Sequence, residues 1–494
     1  MKRLTICLPA VALVLPGMVG AQMQTSPLPE VKAFVVKLLE RNDAIRAKQI
    51  NALAAQAEIS RAEGKFEPVL EYVISHALQK EPNTVEEALT RSGSAYEKDS
   101  SESTTSVTKL FATGAQVEAK VTMTRFMTSA IEAIEPQPHN LRTYYGLTLM
   151  QPLMRDAGVE ATGASVKWAK LEADAALSDV DDTRNTAVAQ GLLVFYDLQA
   201  AQKREQIANE KVAMASRLLT LANQAKQAGR VTDAEVWDVE NSLNRFKVAA
   251  LEAGQSRAEQ SSRLQTLLMQ DAGEAPPLWA DALPEKAQEA GDSNALLQQA
   301  MASRGDYRRH QLMVQRAESQ LGYMDNQRMP RVDLNLNYGR NGLGFDASKA
   351  FALSATQATP TWSVGLQVQV PLGANAQGEA GYAQAYARLD EARLNLQALE
   401  VSIRNDISNS LRLVENVKQR WDHWRAVAAR ETNQLVLERK RLENGRSDMR
   451  ELLFKEERAM NARMSVVEQQ ASYAKALVLQ QAAAGSLLRD YMAE

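Results

Sequence analysis

Residues 157 to 229 contain no proline and only four glycines, Gly158, Gly163, Gly191 and Gly229. As a single helix this run reaches about 110 Å at 1.5 Å per residue. Nothing of that length fits inside an ordinary globular domain, so the chain must be built around elongated helical rods. Apolar residues in it fall at Val194, Leu198, Ala201, Ala208, Val212, Ala215, Leu219 and Ala222. Those steps of three, four and seven are a coiled-coil seam, and the many alanine knobs permit close approach of a partner helix.

A second proline-free run covers 376 to 443 and breaks at Asn444-Gly445; a last helix is expected from about Asp448 to Tyr491. Its seam is Leu453, Met460, Met464, Val467, Ala471, Ala474 and Val478. Gly229-Arg230 makes the same kind of break before a helix from about Thr232 to Met269. Glycine just past the last helical residue is the usual stop signal, and a short turn between helices makes them antiparallel neighbours.

Short segments alternate strictly between polar and apolar residues. In 332–338 Val332, Leu334, Leu336 and Tyr338 oppose Asp333, Asn335 and Asn337. In 362–370 Trp362, Val364, Leu366, Val368 and Val370 oppose Ser363, Gly365, Gln367 and Gln369. Residues 116 to 123 alternate likewise. Both a half-buried soluble sheet and a membrane barrel with lipid outside and water inside give this pattern.

The chain repeats itself. Gly146 to Leu153 mirrors Gly365 to Leu372, each ending in Pro-Leu before a long helix, and Gly229-Arg230 mirrors Gly445-Arg446. The organisation read from this is a signal peptide (1–21), a first repeat (22–270, strand region about 66–150), a linker (271–293, with Pro276, Pro277 and Pro284) and a second repeat (294–494, strand region about 331–372). The first strand region is the longer. It holds a polar, loop-like run at Asp99–Thr105 and a hairpin near Thr113-Gly114, and four strands are expected there against two in the second half.

The signal reading rests on Lys2 and Arg3, the apolar Leu4–Leu15 stretch and the small residues Val19-Gly20-Ala21. It would remove Cys7, the only cysteine, leaving no thiol chemistry or disulfide. Lys and Arg number 57 against 60 Asp and Glu, a net charge of −3, which gives no surplus for nucleic acid. No later stretch supplies the roughly 20 apolar residues of a membrane helix.

Taken together, Gln151–Gly158, its weaker copy at Val370-Pro371-Leu372, Val194–Leu198, Ala228-Gly229-Arg230 and Asn444-Gly445-Arg446 resemble the TolC-like outer membrane efflux proteins. The resemblance covers nearly the whole chain after the signal. It implies an α+β membrane protein: duplicated long antiparallel helical hairpins forming a periplasmic α-barrel, and short strands contributing to a trimeric outer-membrane β-barrel. It further implies a homotrimer in outer-membrane lipid that works with a periplasmic adaptor and an inner-membrane transporter, without cofactor or metal. The family's usual count is four strands per protomer, and the longer first strand region leaves four or six open here. On this reading Asp333, Asn335, Asn337, Gln367 and Gln369 line the pore, and Trp362, Tyr144 and Tyr145 are belt residues. The family narrows its periplasmic end with an acid six residues beyond the second turn glycine and another three further on. Those positions are Glu451 and Phe454, the second a departure; the same count from Gly229 gives Glu235 and Asp238. The turns at Gly229, Arg230, Gly445 and Arg446 are the expected adaptor contacts, and the two arginines would pair with acids or cap carbonyls.

No catalytic motif stands out. His76, His139, His310 and His423 are scattered without metal-ligand spacing. The expected function is a passive efflux or export conduit rather than an enzyme. Alternatives are a conduit for type I protein secretion, a secreted coiled-coil scaffold, or a secreted hydrolase whose site no motif marks.

Overall fold

The computed structural model describes residues 29–85, 95–128, 140–270, 283–284, 291–356, 359–373 and 375–492. The expected signal peptide and most of the expected linker lie outside these residues.

Two short helices come first, α1 (Pro29–Arg41) and α2 (Asp43–Glu63), then a 3-10 turn into β1 (Val69–Glu81). Strands β2 (Tyr96–Leu110), β3 (Gln116–Thr128) and β4 (Asn140–Pro152) follow. The chain then enters α3 (Gly158–Gln227) and α4 (Asp233–Leu267). Next are α5 (Ser293–Ser303), α6 (Gly305–Gln327), β5 (Arg331–Gly344), α7 (Ala347–Thr356) and β6 (Pro360–Gln369). The chain finishes with α8 (Ala376–Glu443), α9 (Met449–Ala483) and α10 (Leu487–Met492).

Helices α3 and α8 have 70 and 68 residues, about 105 and 102 Å. Each folds back on a 35-residue partner, α4 and α9. Beside the sheet, α2 and α6 pack along α3, and α6 packs on α8. Leu198, Ala201, Ala208, Ala215 and Ala222 of the expected seam are buried. Phe34, Leu192, Phe195, Val467, Ala471, Val478 and Leu487 close one core cluster, where α1 and α10 pack against the middle of α3.

The sheet is a six-stranded antiparallel meander in the order β1-β2-β3-β4-β5-β6. Four strands come before α3 and two after α6, as the alternation predicts. One expectation is corrected. Asp99–Thr105 is no loop but the middle of β2, paired on both sides from Glu81↔Tyr96 to Leu110↔Gln116. Serine and threonine bond across the strands there, as Thr104 does to Thr122 at 3.1 Å and Ser103 to Tyr72 at 3.2 Å. Hydroxyl-rich pairs of this kind support a ladder without apolar side chains. The last helix is corrected too: it stops at Ala483, where Gly485 (φ 67°) turns the chain into α10.

Candidate functional site

The register sorts the sheet into two faces. Opposite residues share a face, so pairing carries the alternation of one strand to the next. The polar face holds Asp333, Asn335, Asn337, Gln367 and Gln369 together, through the pairs Asp333↔Gln367 and Arg331↔Gln369. It continues through Thr148 and Met150 on β4, Glu118 and Lys120 on β3, and Glu71 on β1. Asp333 is 2% exposed, and the Arg331 Nε donates to its Oδ2 at 2.7 Å.

The apolar face holds Val332, Leu334, Leu336 and Tyr338 beside Trp362, Val364, Leu366 and Val368. Leu147, Leu149 and Tyr145 extend it on β4, and Leu70, Tyr72 and Ile74 on β1. Tyr145 thus joins Trp362 and Tyr338 in an aromatic row. Tyr144 does not: successive strand residues face opposite ways, and its hydroxyl donates to Asn337 Oδ1 at 3.0 Å on the polar face. Its ring lies over Gly146 and Gly339, which oppose each other across β4 and β5.

Both edge strands are exposed along their whole length, whereas the inner four are partly covered. Five antiparallel steps separate β1 from β6, so the two edges run in opposite directions.

Gln151–Gly158 fastens this sheet to the rods. The Leu153 N–H donates to the Val332 carbonyl at 2.7 Å and the Asp156 N–H to Asn326 Oδ1 at 2.8 Å. Gln327 Nε2 donates to Asp156 Oδ1 at 2.6 Å, and Arg155 Nε to Gln327 Oε1 at 2.8 Å. The β2–β3 turn docks on the same junction. There the Gly158 N–H reaches the Thr113 carbonyl at 3.0 Å, and Gly114 (φ 88°) lies against the Asp156 carbonyl.

At the other end of the rods the two hairpin turns have one geometry. Gly229 (φ 70°) donates to the Lys226 carbonyl and Arg230 N–H to the Ala225 carbonyl, both at 2.9 Å. Gly445 (φ 66°) donates to the Leu442 carbonyl at 2.9 Å and Arg446 N–H to the Arg441 carbonyl at 2.8 Å. These are Schellman caps, made by backbone. Among the described residues the Arg230 and Arg446 side chains show no partner, so the expected arginine pairing is replaced by main-chain capping.

The expected gate residues sit just beyond these turns, in different settings. Glu235 closes a capping box with Thr232, whose N–H donates to Glu235 Oε2 at 2.8 Å. That backbone bond, with the Thr232 hydroxyl, holds the Glu235 carboxyl below the usual carboxylate range. Asp238 pairs with Arg450 at 3.1 Å, tying α4 to α9. Glu451 receives no such tie; its N–H is capped by Asp448 Oδ1 at 2.8 Å, and its carboxylate lies 3.5 Å from Lys455. Phe454 is half exposed, with Lys455 and Arg458 over its ring at 5.8 and 5.6 Å. Arg450 was not singled out by spacing, since its partner lies on the other hairpin.

Along α8 and α9 three seam positions are acids. Glu431, Glu438 and Glu456 are 7%, 4% and 3% exposed. Arg458 holds Glu431 at 2.5 Å, Arg439 Nε holds Glu456 at 2.9 Å, and Arg441 and Ser447 hold Glu438. Among the described residues no group of three His, Cys, Asp or Glu is arranged to hold a metal. No helix there is long and apolar enough to cross a membrane.

No family model and no curated protein matches the chain. Solved structures do. The outer-membrane channel OprN superimposes with a TM-score of 0.63 at 17% identity, over 92% of this chain and 90% of that one. The outer membrane protein VceC from Vibrio cholerae gives 0.63 at 15% identity over 92% and 96%. The open state of the Neisseria gonorrhoeae MtrE outer membrane channel gives 0.61 at 16% identity over 92% and 89%. Likeness over nearly the full length of both partners, strands and rods included, means that this chain has the fold of the TolC-like outer-membrane channels.

Proposed function

We propose that the protein is a passive outer-membrane conduit for efflux or export, a homotrimer whose rods extend through the periplasm to an adaptor and an inner-membrane transporter. One observation carries the reading: a sheet with an apolar face, a polar face and two unsatisfied edges of opposite direction. Open edges are untenable in lipid, where each unpaired backbone group costs several kcal/mol. Edges of opposite direction let β1 of one copy pair antiparallel with β6 of the next. Three copies of six strands then close an 18-stranded wall. Lipid lies against Leu334 and Leu366, and water against Asn335 and Gln367. Barrel diameter grows roughly with strand number, so this bore is about half as wide again as a wall of four strands per copy. Exposed apolar residues on the rods, Ile50, Leu53, Trp237, Leu251 and Leu394, are faces for the neighbouring copies. The two strand-rod units are read as a duplication, and the Gly229 and Gly445 turns as the adaptor contacts.

Water-filled passage needs no chemistry from the chain; energy comes from the inner-membrane partner. Glu451, the gate acid free of a capping role, forms a cation-attracting ring in the trimer, with Phe454 as an apolar collar and Glu235 and Asp238 nearby.

The test is reconstitution of detergent-extracted protein into planar bilayers. A cross-linkable trimer with stable ionic conductance is expected, and Glu451→Ala raises ion leak and weakens divalent block. A monomer soluble without detergent overturns the conduit. Unchanged conductance and block in Glu451→Ala overturn only the gate.

A further inference from the structure

Between β5 and β6 the chain makes the ten-residue helix α7, which packs on β5 and β4. Its partners identify the side it occupies. The Thr143 hydroxyl donates to the Ala350 carbonyl at 3.0 Å, the Tyr145 hydroxyl to the Ser354 carbonyl at 2.9 Å, and Arg340 to the Ala355 carbonyl at 2.9 Å. Thr143, Tyr145 and Arg340 all belong to the apolar face by register. The helix therefore lies outside the wall, past the aromatic row at the end of the sheet away from the rods. Two glycines admit it: a Cβ at Gly342 would fall 2.8 Å from Ser354 Cβ, and one at Gly344 2.8 Å from the Ala350 nitrogen. Ala350 and Ser354 are wholly buried beneath it. Three side-chain bonds and two close approaches make α7 a fixed part of the wall.

Its other side is exposed and presents an apolar strip beside Ser348, Lys349 and Thr356. Phe351 is 40% exposed, Phe345 at its entry 70%, and Ala352 and Ala355 lie outward. Lys349 is the one charged residue of the helix, and Asp346 stands 3.5 Å from it. The sheet beneath supplies the reason for such a surface. On β5 the apolar row from Val332 to Tyr338 takes six residue steps before Arg340, Gly342 and Gly344, about 20 Å along the strand and about 15 Å of height at a tilt near 40°. An outer-membrane barrel needs an apolar band about 25 Å tall. On β1 the row runs from Leu70 to Leu78, interrupted only by His76, and covers about 27 Å of strand, about 21 Å of height at the same tilt. The β5 sector is thus short of that band by about one helix diameter, close to 10 Å. The Tyr145 hydroxyl, which in a bare girdle would face headgroups, instead binds the end of α7.

We propose that α7 is an interfacial helix lying on the outside of the barrel, whose Phe345, Phe351 and alanine side contacts outer-leaflet lipid at the boundary of acyl chains and headgroups, completing the apolar band where β5 is short. It rests on the lipid-facing reading of the sheet, being continuous with that surface. A near-neutral amphipathic helix flanked by aromatic residues suits this depth.

The test is spin labelling of single cysteines in a Cys7→Ser background, in the full protein reconstituted in phosphatidylcholine–phosphatidylglycerol vesicles. Sites are Phe351→Cys on α7, Leu366→Cys on the apolar face and Asn337→Cys on the polar face. Collision with oxygen reports lipid, and collision with a water-soluble nickel chelate reports water. The expected result is an oxygen-to-nickel ratio at 351 several-fold above that at 337 and close to that at 366. A water-like ratio at 351 with a lipid-like ratio at 366 overturns the interfacial helix alone. Shielding of 351 from both reagents overturns it in favour of a neighbouring copy as occupant. A water-like ratio at 366 sinks the lipid-facing sheet itself and α7 with it. Ala352→Cys repeats the measurement should the 351 variant fold poorly.

Discussion

Tyr144 lies over Gly339 on the adjacent strand so closely that a Cβ there would fall 2.5 Å from the ring carbon Cζ. At Gly146 the same carbon would be 2.6 Å away. A ring laid across two glycines keeps its bulk against the sheet, which in the proposed conduit keeps it out of the bore. Gly339→Ala should lift Tyr144 off the polar face, at a strain of roughly 1–3 kcal/mol if the strand holds. Lower single-channel conductance is expected, restored when Tyr144→Ala is added. Equal conductance in wild type and Gly339→Ala would show that the ring never bordered the passage.

The buried acids between α8 and α9 predict strong non-additivity. Arg439→Leu leaves the Glu456 carboxylate buried without its cation and should cost about 2 kcal/mol, less than for a fully enclosed pair because Arg439 is half exposed. Replacing both residues by leucine should be neutral or stabilising. Thermal unfolding of the two singles and the double in one detergent gives the coupling; additive losses contradict it.

Alkaline stability should depend on Tyr196 and Tyr491. Burial pushes both hydroxyls up, and the two share one hydrogen bond, donated by Tyr491, where α3 meets α10. An unfolded tyrosine ionises near pH 10, while these stay neutral well above it. Their contribution is therefore complete below about pH 10 and declines as pH rises past it. Tyr491→Phe should lose about 1 kcal/mol at neutral pH and show a shallower fall in melting temperature between pH 9 and 11. An unchanged alkaline slope would assign that fall to other groups.

At the rod ends Gly445→Ala forces an alanine into φ 66°, at a cost of roughly 1–2 kcal/mol. Hydrogen exchange should rise locally at 440–450 while the sheet amides stay unchanged, and Gly445→Asn should fall between the two. Protection equal to wild type in the alanine variant would mean that the turn relaxes out of the left-handed conformation.

Much of the frame could be read from residues alone. The proline-free runs gave α8 its observed bounds and α3 to within two residues at its C-terminal end, because one breaker marks each end of a rod. Strict alternation located β3, β5 and β6, but β3 runs on to Thr128 and β5 to Gly344, beyond the alternating residues 116–123 and 332–338. What escaped has a physical cause in each case. Asp99–Thr105 carries no apolar period, and its strand is held by hydroxyl pairs with β1 and β3 that only the register reveals. The paired tyrosines 144 and 145 read as one belt until the pleat sends them to opposite faces. Gly485 ends α9 with a left-handed backbone cap, the Ser486 N–H reaching the Gln481 carbonyl at 2.9 Å, and Ser303 and Arg304 leave no room there for a Cβ. Arg450–Asp238 joins residues from separate hairpins, which spacing within either hairpin does not encode.

The β2–β3 turn grips the junction of β4 and α3 through Thr113 and Gly114, meeting α3 at its first turn, at Gly158 and Thr162. Removing that hairpin would leave β1 antiparallel to β4, the same handedness of pairing it now has with β2. If copies of the sheet close a barrel as proposed, its calibre can therefore change by whole hairpins, two strands per copy at a time, while the rods keep their dimensions.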